Sequence, residues 1–204
     1  MSRYTGPRVR IARRFDQYLP GLSRKTAKLR LNPPGQHGGN RRKKTSEYKE
    51  RLDEKQKLRF NFGITERQLR RYYRKAKAQK GNTGHNLLSL LESRLDSVVF
   101  RSGLAPTIPA ARQMVSHGHI EVNGRKVDVS SYLVKPGQII KLRDSIKKVP
   151  GLRDEIDHPT FLMPNFLIVD KEKLEIQYIR HPERDEVLLE IKEDLIIEFY
   201  NRVA

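Results

Sequence analysis

Few side chains in this sequence are spaced for covalent chemistry, and many are suited to holding phosphate. The 204 residues include 42 Lys/Arg against 24 Asp/Glu, six His and no Cys. Without a thiol, disulfides and thiolate metal sites are excluded, and a reducing compartment is compatible with the composition. His117-Gly118-His119 presents two imidazoles, but no Cys or Asp stands nearby as a third metal ligand. Histidines at a helix end beside an anion are the plainer reading. The glycine-rich NPPGQHGG at 32–39 is not a nucleotide phosphate loop, because no Gly-Lys-Ser/Thr follows it and no apolar strand precedes it. What remains is charge. Residues 1–80 hold 25 Lys/Arg and 6 Asp/Glu, a net of +19, whereas residues 81–204 hold 17 and 18, a net of −1. An excess confined to one part of the chain suits a polyanion, since each phosphate neutralised releases condensed counterions. A merely soluble basic surface needs no such clustering.

The segments that must position these charges can be read in order. Residues 1–44 carry 13 Lys/Arg and a single acid, Asp16, among many Gly and Pro. Such a stretch buries little apolar surface alone and is expected to be an extended arm that orders on a polyanion. Its candidate phosphate contacts are Arg3, Arg8, Arg10, Arg13 and Arg14, with the run Arg41, Arg42, Lys43 and Lys44 at its end. The N-terminus has no apolar core, so it is not a secretory signal. Pro7 and the basic residues beyond it argue against a transit peptide. Residues 46–80 are helical in pattern. Ser46 opens a first helix whose end is crowded by Lys55, Lys57 and Arg59. Gly63 breaks it, and Thr65-Glu66-Arg67-Gln68 predicts a capping box for a second. That helix sets Leu69, Tyr72, Tyr73 and Ala76 on one side, with Arg67, Arg70, Arg71, Arg74, Lys75 and Lys77 over much of the rest. So many like charges in three turns repel one another unless an anion lies against them. Tyr72 and Tyr73 suit either core packing or base stacking.

Residues 94–143 read as one unit. Leu95, Val98 and Val99 fall at i, i+3, i+4, the apolar stripe of a short helix that Gly103 ends. Leu87, Leu88, Leu90 and Leu91 predict near-continuous helix leading into it, with a kink near Glu92. Thr107 can cap the next helix, with Pro109 in its first turn; Ala111, Met114 and Val115 are its buried face, and Gly118 closes it. The period then changes to two. Asn123-Gly124 between two short alternating runs is a strong hairpin signal. A two-residue loop sets Glu121 opposite Lys126 and Ile120 opposite Val127, which predicts an ion pair outside and an apolar pair inside. Lys135-Pro136-Gly137-Gln138 predicts a type II turn into a strand at 139–142. Arg94, Arg101, Arg112, His117, His119, Asn123, Arg125 and Lys126 gather on this unit. Two short helices on a small antiparallel sheet, rimmed in this way, suit phosphate contacts along a structured nucleic acid.

The character changes beyond Arg143. Residues 153–204 hold 7 bases and 13 acids. Asp157-His158, Pro159 and Pro164 mark a long connection. The runs 166–169 and 174–179 read as strands that extend the sheet, joined by a turn at 170–173. Ile191, Leu195, Ile196, Phe199 and Tyr200 follow helical spacing. That helix needs an apolar partner, and the helical region of 46–92 is the expected host. The fold class is therefore α+β. The expected domains are a basic arm at 1–45, a helical domain at 46–92 completed by 187–204, and a sheet-containing module at 93–186. The acidic last segment is either a solvated face or a meeting place for a basic protein.

The run ARQMVSHGHIEVNGRKVDVSSYLVKPGQII at 111–140 resembles the RNA-binding module named after ribosomal protein S4. That module also occurs in pseudouridine synthases, some tyrosyl-tRNA synthetases and a heat-shock protein, so alone it implies RNA binding rather than a ribosome. PPGQHGG, SEYKERLDEKQKLRFNFGITERQLRRYYRKA, TGHNLLSLLESRLDSVVFRSGLA and the final IIEFYNR extend the resemblance over essentially the whole chain. Together they are similar to the small-subunit ribosomal protein S4 family, in the short N-terminal form of bacteria and plastids. The resemblance implies a primary binder of the 5′ domain of 16S-type rRNA, at a junction of several helices, that nucleates assembly of the subunit body. It also implies contact with ribosomal protein S5 that bears on decoding accuracy, a place near the mRNA entry path, and residence on ribosomes of a bacterial cytosol or plastid stroma. Some family members repress their own operon. Others hold zinc through four N-terminal cysteines; this chain has none, and no cofactor is implied.

Arg94-Leu95-Asp96 superficially matches the RLD of pseudouridine synthases, whose aspartate is the nucleophile. Here Ser97, Val98 and Val99 continue a helix and the chain is too short for that catalytic domain. Asp96 is read instead as pairing with a local base such as Arg94 or Arg101. No enzyme is expected. Two RNA-binding readings stay open: a structural rRNA binder, and a regulatory binder acting off the ribosome as a translational repressor or antitermination factor.

Overall fold

In chain order the elements are α1 (Arg8–Phe15), α2 (Glu47–Asn61), α3 (Glu66–Lys77), α4 (Thr83–Glu92), α5 (Leu95–Arg101), α6 (Ile108–Ser116), β1 (Ile120–Val122), β2 (Arg125–Lys126), β3 (Ile139–Leu142), α7 (Asp144–Lys147), β4 (Leu167–Asp170), β5 (Glu175–Tyr178), a single 3-10 turn (Arg184–Glu186) and α8 (Glu193–Val203). This computed structural model describes residues 4–25, 32–39, 45–147 and 161–203. Arg3, Arg41, Arg42, Lys43, Lys44, Asp157, His158 and Pro159 lie outside the described residues. The chain forms two units, residues 1–87 with 188–204 and residues 88–187. Among the described residues no helix is long and apolar enough to cross a membrane.

The first unit is helical. Part of the expected extended arm is α1, whose Ile11, Ala12 and Phe15 are buried. The reason is a short apolar stripe that finds a partner: the rings of Phe15 and Phe60 lie 6.1 Å apart, and the Gly21 N–H donates to Asn61 Oδ1 at 2.9 Å. The Ser46 side chain caps α2 by accepting from the Lys49 N–H, and Thr65 with Gln68 forms the predicted capping box of α3. Helix α8 packs on α2. Its Tyr200 stacks on Tyr73 at 4.8 Å and donates its O–H to Glu66 Oε1 at 2.8 Å. The Tyr73 O–H donates to Asn201 Oδ1 at 2.8 Å. Tyr72 and Tyr73 are both buried, which decides between the two expectations for them in favour of packing.

The second unit is a five-stranded antiparallel sheet in the order β2-β1-β3-β5-β4, with α5 packed on α6. The hairpin turns as expected. Asn123 and Gly124 both have positive φ, 49° and 75°, the pairing a tight two-residue turn demands, and Glu121 lies opposite Lys126. Strand β2 ends at Lys126, though the Val127 N–H still donates to the Ile120 carbonyl at 3.1 Å. The predicted ion pair is replaced: Glu121 meets Arg143 Nε at 3.1 Å, because β3 lies on the other side of β1 and carries Arg143 to it. The inward residues Ile120, Val122, Ile140, Leu142, Ile176 and Tyr178 are buried. The near-continuous helix is interrupted. Arg94 is extended, with ψ 144°, and bridges to Leu133. The Val134 N–H donates to the Ser93 carbonyl and the Leu95 N–H to the Tyr132 carbonyl, both at 2.8 Å. Those bonds replace helical ones, so the break has little backbone penalty.

Two charged groups are buried together at this break. Glu92 Oε2 lies 3.7 Å from Arg101 Nε, with both side chains nearly inaccessible. Burial pushes the Glu92 carboxyl up to about 7, only partly opposed by the Arg101 charge. A carboxyl raised on folding binds its proton more tightly in the folded state, so its contribution is lost as pH rises from the unfolded value of 4.5 toward about 7. The loss is at most about 3 kcal/mol. Thermal unfolding of the Glu92→Gln variant should therefore fall less steeply between pH 5 and 8 than that of the wild type. Equal slopes would contradict this assignment.

Candidate nucleic-acid interface

Helix α3 carries a cationic face. Its hydrophobic side, Leu69, Tyr72, Tyr73 and Ala76, is buried, which turns Arg67, Arg70, Arg71, Arg74, Lys75 and Lys77 outward; all six are exposed. Among the described residues no carboxylate pairs with Arg67, Arg70, Arg71, Arg74 or Lys75. Lys77 Nζ donates weakly to Asn201 Oδ1 at 3.5 Å. The face is roughly 15 Å long at the rise of an α-helix. On α1, Arg8, Arg10 and Arg14 are exposed, and Arg14 lies over the Phe15 ring. Arg13 turns inward and donates to the Asn32 carbonyl at 2.7 Å.

Other predicted contacts are wholly or partly withdrawn from the surface. Lys55 is 4% exposed, with its ammonium 2.7 Å from Glu66 Oε2 and 4.8 Å from the centre of the Phe199 ring. Lys57 is paired with Glu54, and Arg59 lies over the Phe60 ring at 4.6 Å. Arg94 is 1% exposed. Its Nη2 donates to Asp96 Oδ2 at 2.7 Å; Arg112 Nη2 donates to the same oxygen at 2.7 Å, and the Ser97 N–H donates to Asp96 Oδ1 at 3.0 Å. Asp96 thus pairs with Arg94, as one expectation had it, and with Arg112 rather than Arg101. Arg101 is buried against Glu92 and donates to the Glu186 carbonyl, and burial pulls its pKa down. For Lys55, Arg94 and Arg101 the correction has one cause: each found a carboxylate and left the water with it.

On the second unit the exposed set is His117, Asn123, Arg125 and Lys126, with His119 half-buried. Asn123 uses its Oδ1 to accept from the Ile139 N–H at 2.9 Å. Sequence reading missed Arg143, which is exposed and whose N–H donates to the His119 carbonyl at 2.9 Å. Its signal was the β1–β3 register, Ile120 opposite Leu142, which sets Arg143 across from His119. Among the described residues no group of three or more His, Cys, Asp or Glu is placed to hold a metal.

A family model described as the ribosomal protein S4/S9 N-terminal domain matches residues 3–92, and one described as the S4 domain matches residues 93–140. The chain belongs to the ribosomal protein S4 family. The small ribosomal subunit protein uS4 of Synechococcus sp. (strain WH7803) is 54% identical over 203 residues, 99% of each chain. That of Synechococcus sp. (strain JA-3-3Ab) is 53% identical over the same share. That of Nostoc punctiforme is 53% identical over 205 residues, the whole of both chains. The S4-domain match takes in α5, α6 and the hairpin, with His117, His119 and Lys126; the N-terminal match takes in α3 and all of its outward cations.

The division between outward and inward cations predicts opposite responses to mutation. Lys55→Ala should lower stability by about 1–3 kcal/mol, because Glu66 loses its partner but remains partly hydrated. Arg70→Gln, Arg71→Gln and Arg74→Gln together should leave it unchanged or raise it slightly, since like charges are removed. Denaturant unfolding of the two variants checks this.

Proposed function

We propose that this chain is a structural, non-catalytic RNA-binding protein of the small ribosomal subunit. It binds the 5′ domain of small-subunit rRNA where several helices converge, nucleates assembly of the subunit body and contributes to translational accuracy. Its partners are that rRNA and neighbouring ribosomal proteins, S5 among them, near the path of mRNA, on ribosomes of a bacterial cytosol or plastid stroma. The relatives' name, small ribosomal subunit protein uS4, supports the ribosomal part of this reading.

The observation that carries the RNA-binding part is the cationic face of α3. Five exposed Arg and Lys side chains within three turns have no acidic partner among the described residues, and their mutual repulsion is relieved when phosphates lie against them. The exposed arginines of α1 and the rim of His117, His119, Arg125 and Lys126 add further contacts. Arg67 and Arg8 each offer a planar guanidinium fork to backbone phosphates. Recognition is of shape and backbone, because the major groove of A-form RNA is too narrow for side chains to read its bases.

A salt titration of rRNA binding tests this reading. Replacing Arg70, Arg71 and Arg74 together by Gln should weaken binding and flatten the plot of log affinity against log salt by about 0.7–0.9 for each phosphate no longer neutralised. An unchanged slope would remove α3 from the interface.

A further inference from the structure

Four cationic or titratable side chains converge on Gly118, which closes α6 with φ +72°. Lys126 lies over it: a Cβ added there would fall 2.3 Å from Lys126 Cε and 2.9 Å from Nζ. Only a glycine lets the ammonium settle this closely on the backbone. Arg143 Nη1 donates to the Gly118 carbonyl at 3.4 Å. The flanking imidazoles of His117 and His119 have ring centroids 5.9 Å apart, inclined by 62°. At that separation both rings can donate to oxygens of one phosphate.

Among the described residues the surrounding charges are few. On β1, Glu121 is paired with Arg143 at 3.1 Å. On β3, Lys141 is paired with Glu175 at 2.8 Å. Asp144 opens α7, and on α6 Arg112 is tied to Asp96. Glu121 is therefore already committed to Arg143, and Lys126 has no carboxylate partner among the described residues.

We propose that this cup around Gly118 seats one RNA phosphate between His117 and His119 and takes up protons as it does so, which makes RNA affinity depend on pH. The proposal rests on the RNA-binding reading and names a regulation of that surface. Imidazoles change charge between about pH 5 and 8. Lys126 and Arg143 stand beside the two rings. A phosphate held between the rings favours their protonated form, because it is an opposite charge within hydrogen-bonding reach. Binding and proton uptake are then linked, and affinity rises as pH falls.

The test uses the full chain and a transcript of the 5′ domain of small-subunit rRNA at constant ionic strength, with dissociation constants measured at pH 7.5 and 6.0. Wild-type affinity should rise about tenfold at the lower pH. The His117→Gln/His119→Gln variant should bind more weakly than wild type at both pH values and lose most of the gain between them. The Arg70→Gln/Arg71→Gln/Arg74→Gln variant, altered in the other unit, should bind more weakly at both pH values and keep the wild-type ratio between them. A double-histidine variant with the full pH dependence overturns the proposal, as does a wild-type affinity that does not change with pH. Wild-type protein that fails to bind the transcript at either pH overturns the RNA-binding reading itself, and this proposal with it.

Discussion

A charge can leave water at tolerable cost only beside a countercharge, and in this chain that constraint sorts the basic residues. With 42 Lys/Arg and 24 Asp/Glu, the cations outnumber the acids and cannot all be paired one to one. The cations that are buried in the two cores each have an acid beside them. Lys55 pairs with Glu66, Arg94 and Arg112 share Asp96, and Arg101 meets Glu92. Cations without one, above all on α3, are held outward by the apolar residues on the opposite side of their helix. The cationic surface is thus what remains once the interior has been neutralised.

The buried pairs also shape the backbone. Asp96 accepts from two guanidinium groups and from the Ser97 N–H, which ties the start of α5 to α6. Ser93 and Arg94, where α4 would otherwise run into α5, bond instead to the segment around Leu133 and Val134. In the helical unit, Glu66 serves both Lys55 and Tyr200. A single carboxylate thereby joins α2, α3 and α8.

Local signals were legible in the sequence, and non-local ones were not. The α+β class, the Asn123-Gly124 hairpin, the Thr107 cap and the Thr65–Gln68 capping box follow from neighbouring residues, and the structure shows them. Helix α1 was hidden because its charge density outweighed the short stripe Ile11, Ala12 and Phe15, whose partner on α2 is remote in sequence. The break at Arg94 depends on hydrogen bonds from a distant strand. The same limit applies to the candidate contacts. Lys55, Arg94 and Arg101 could not be told from Arg70 or Arg74 by type. Lys55 and Arg101 differ only in having an acid brought to them by folding, whereas Arg94 lies beside its acid, and only the fold shows that the pair is buried. Arg143 was overlooked for the converse reason, since only the register of β3 on β1 brings it to His119.

The central claim is that the outward cations are arranged for a particular RNA shape and do not serve merely as a basic coat. Binding of the chain to the isolated 5′ domain of small-subunit rRNA should be compared, over a salt titration, with binding to an RNA duplex of equal charge. The account predicts that affinity for the folded domain persists at salt concentrations where duplex binding has collapsed. Equal affinities with equally steep slopes for both RNAs would contradict it.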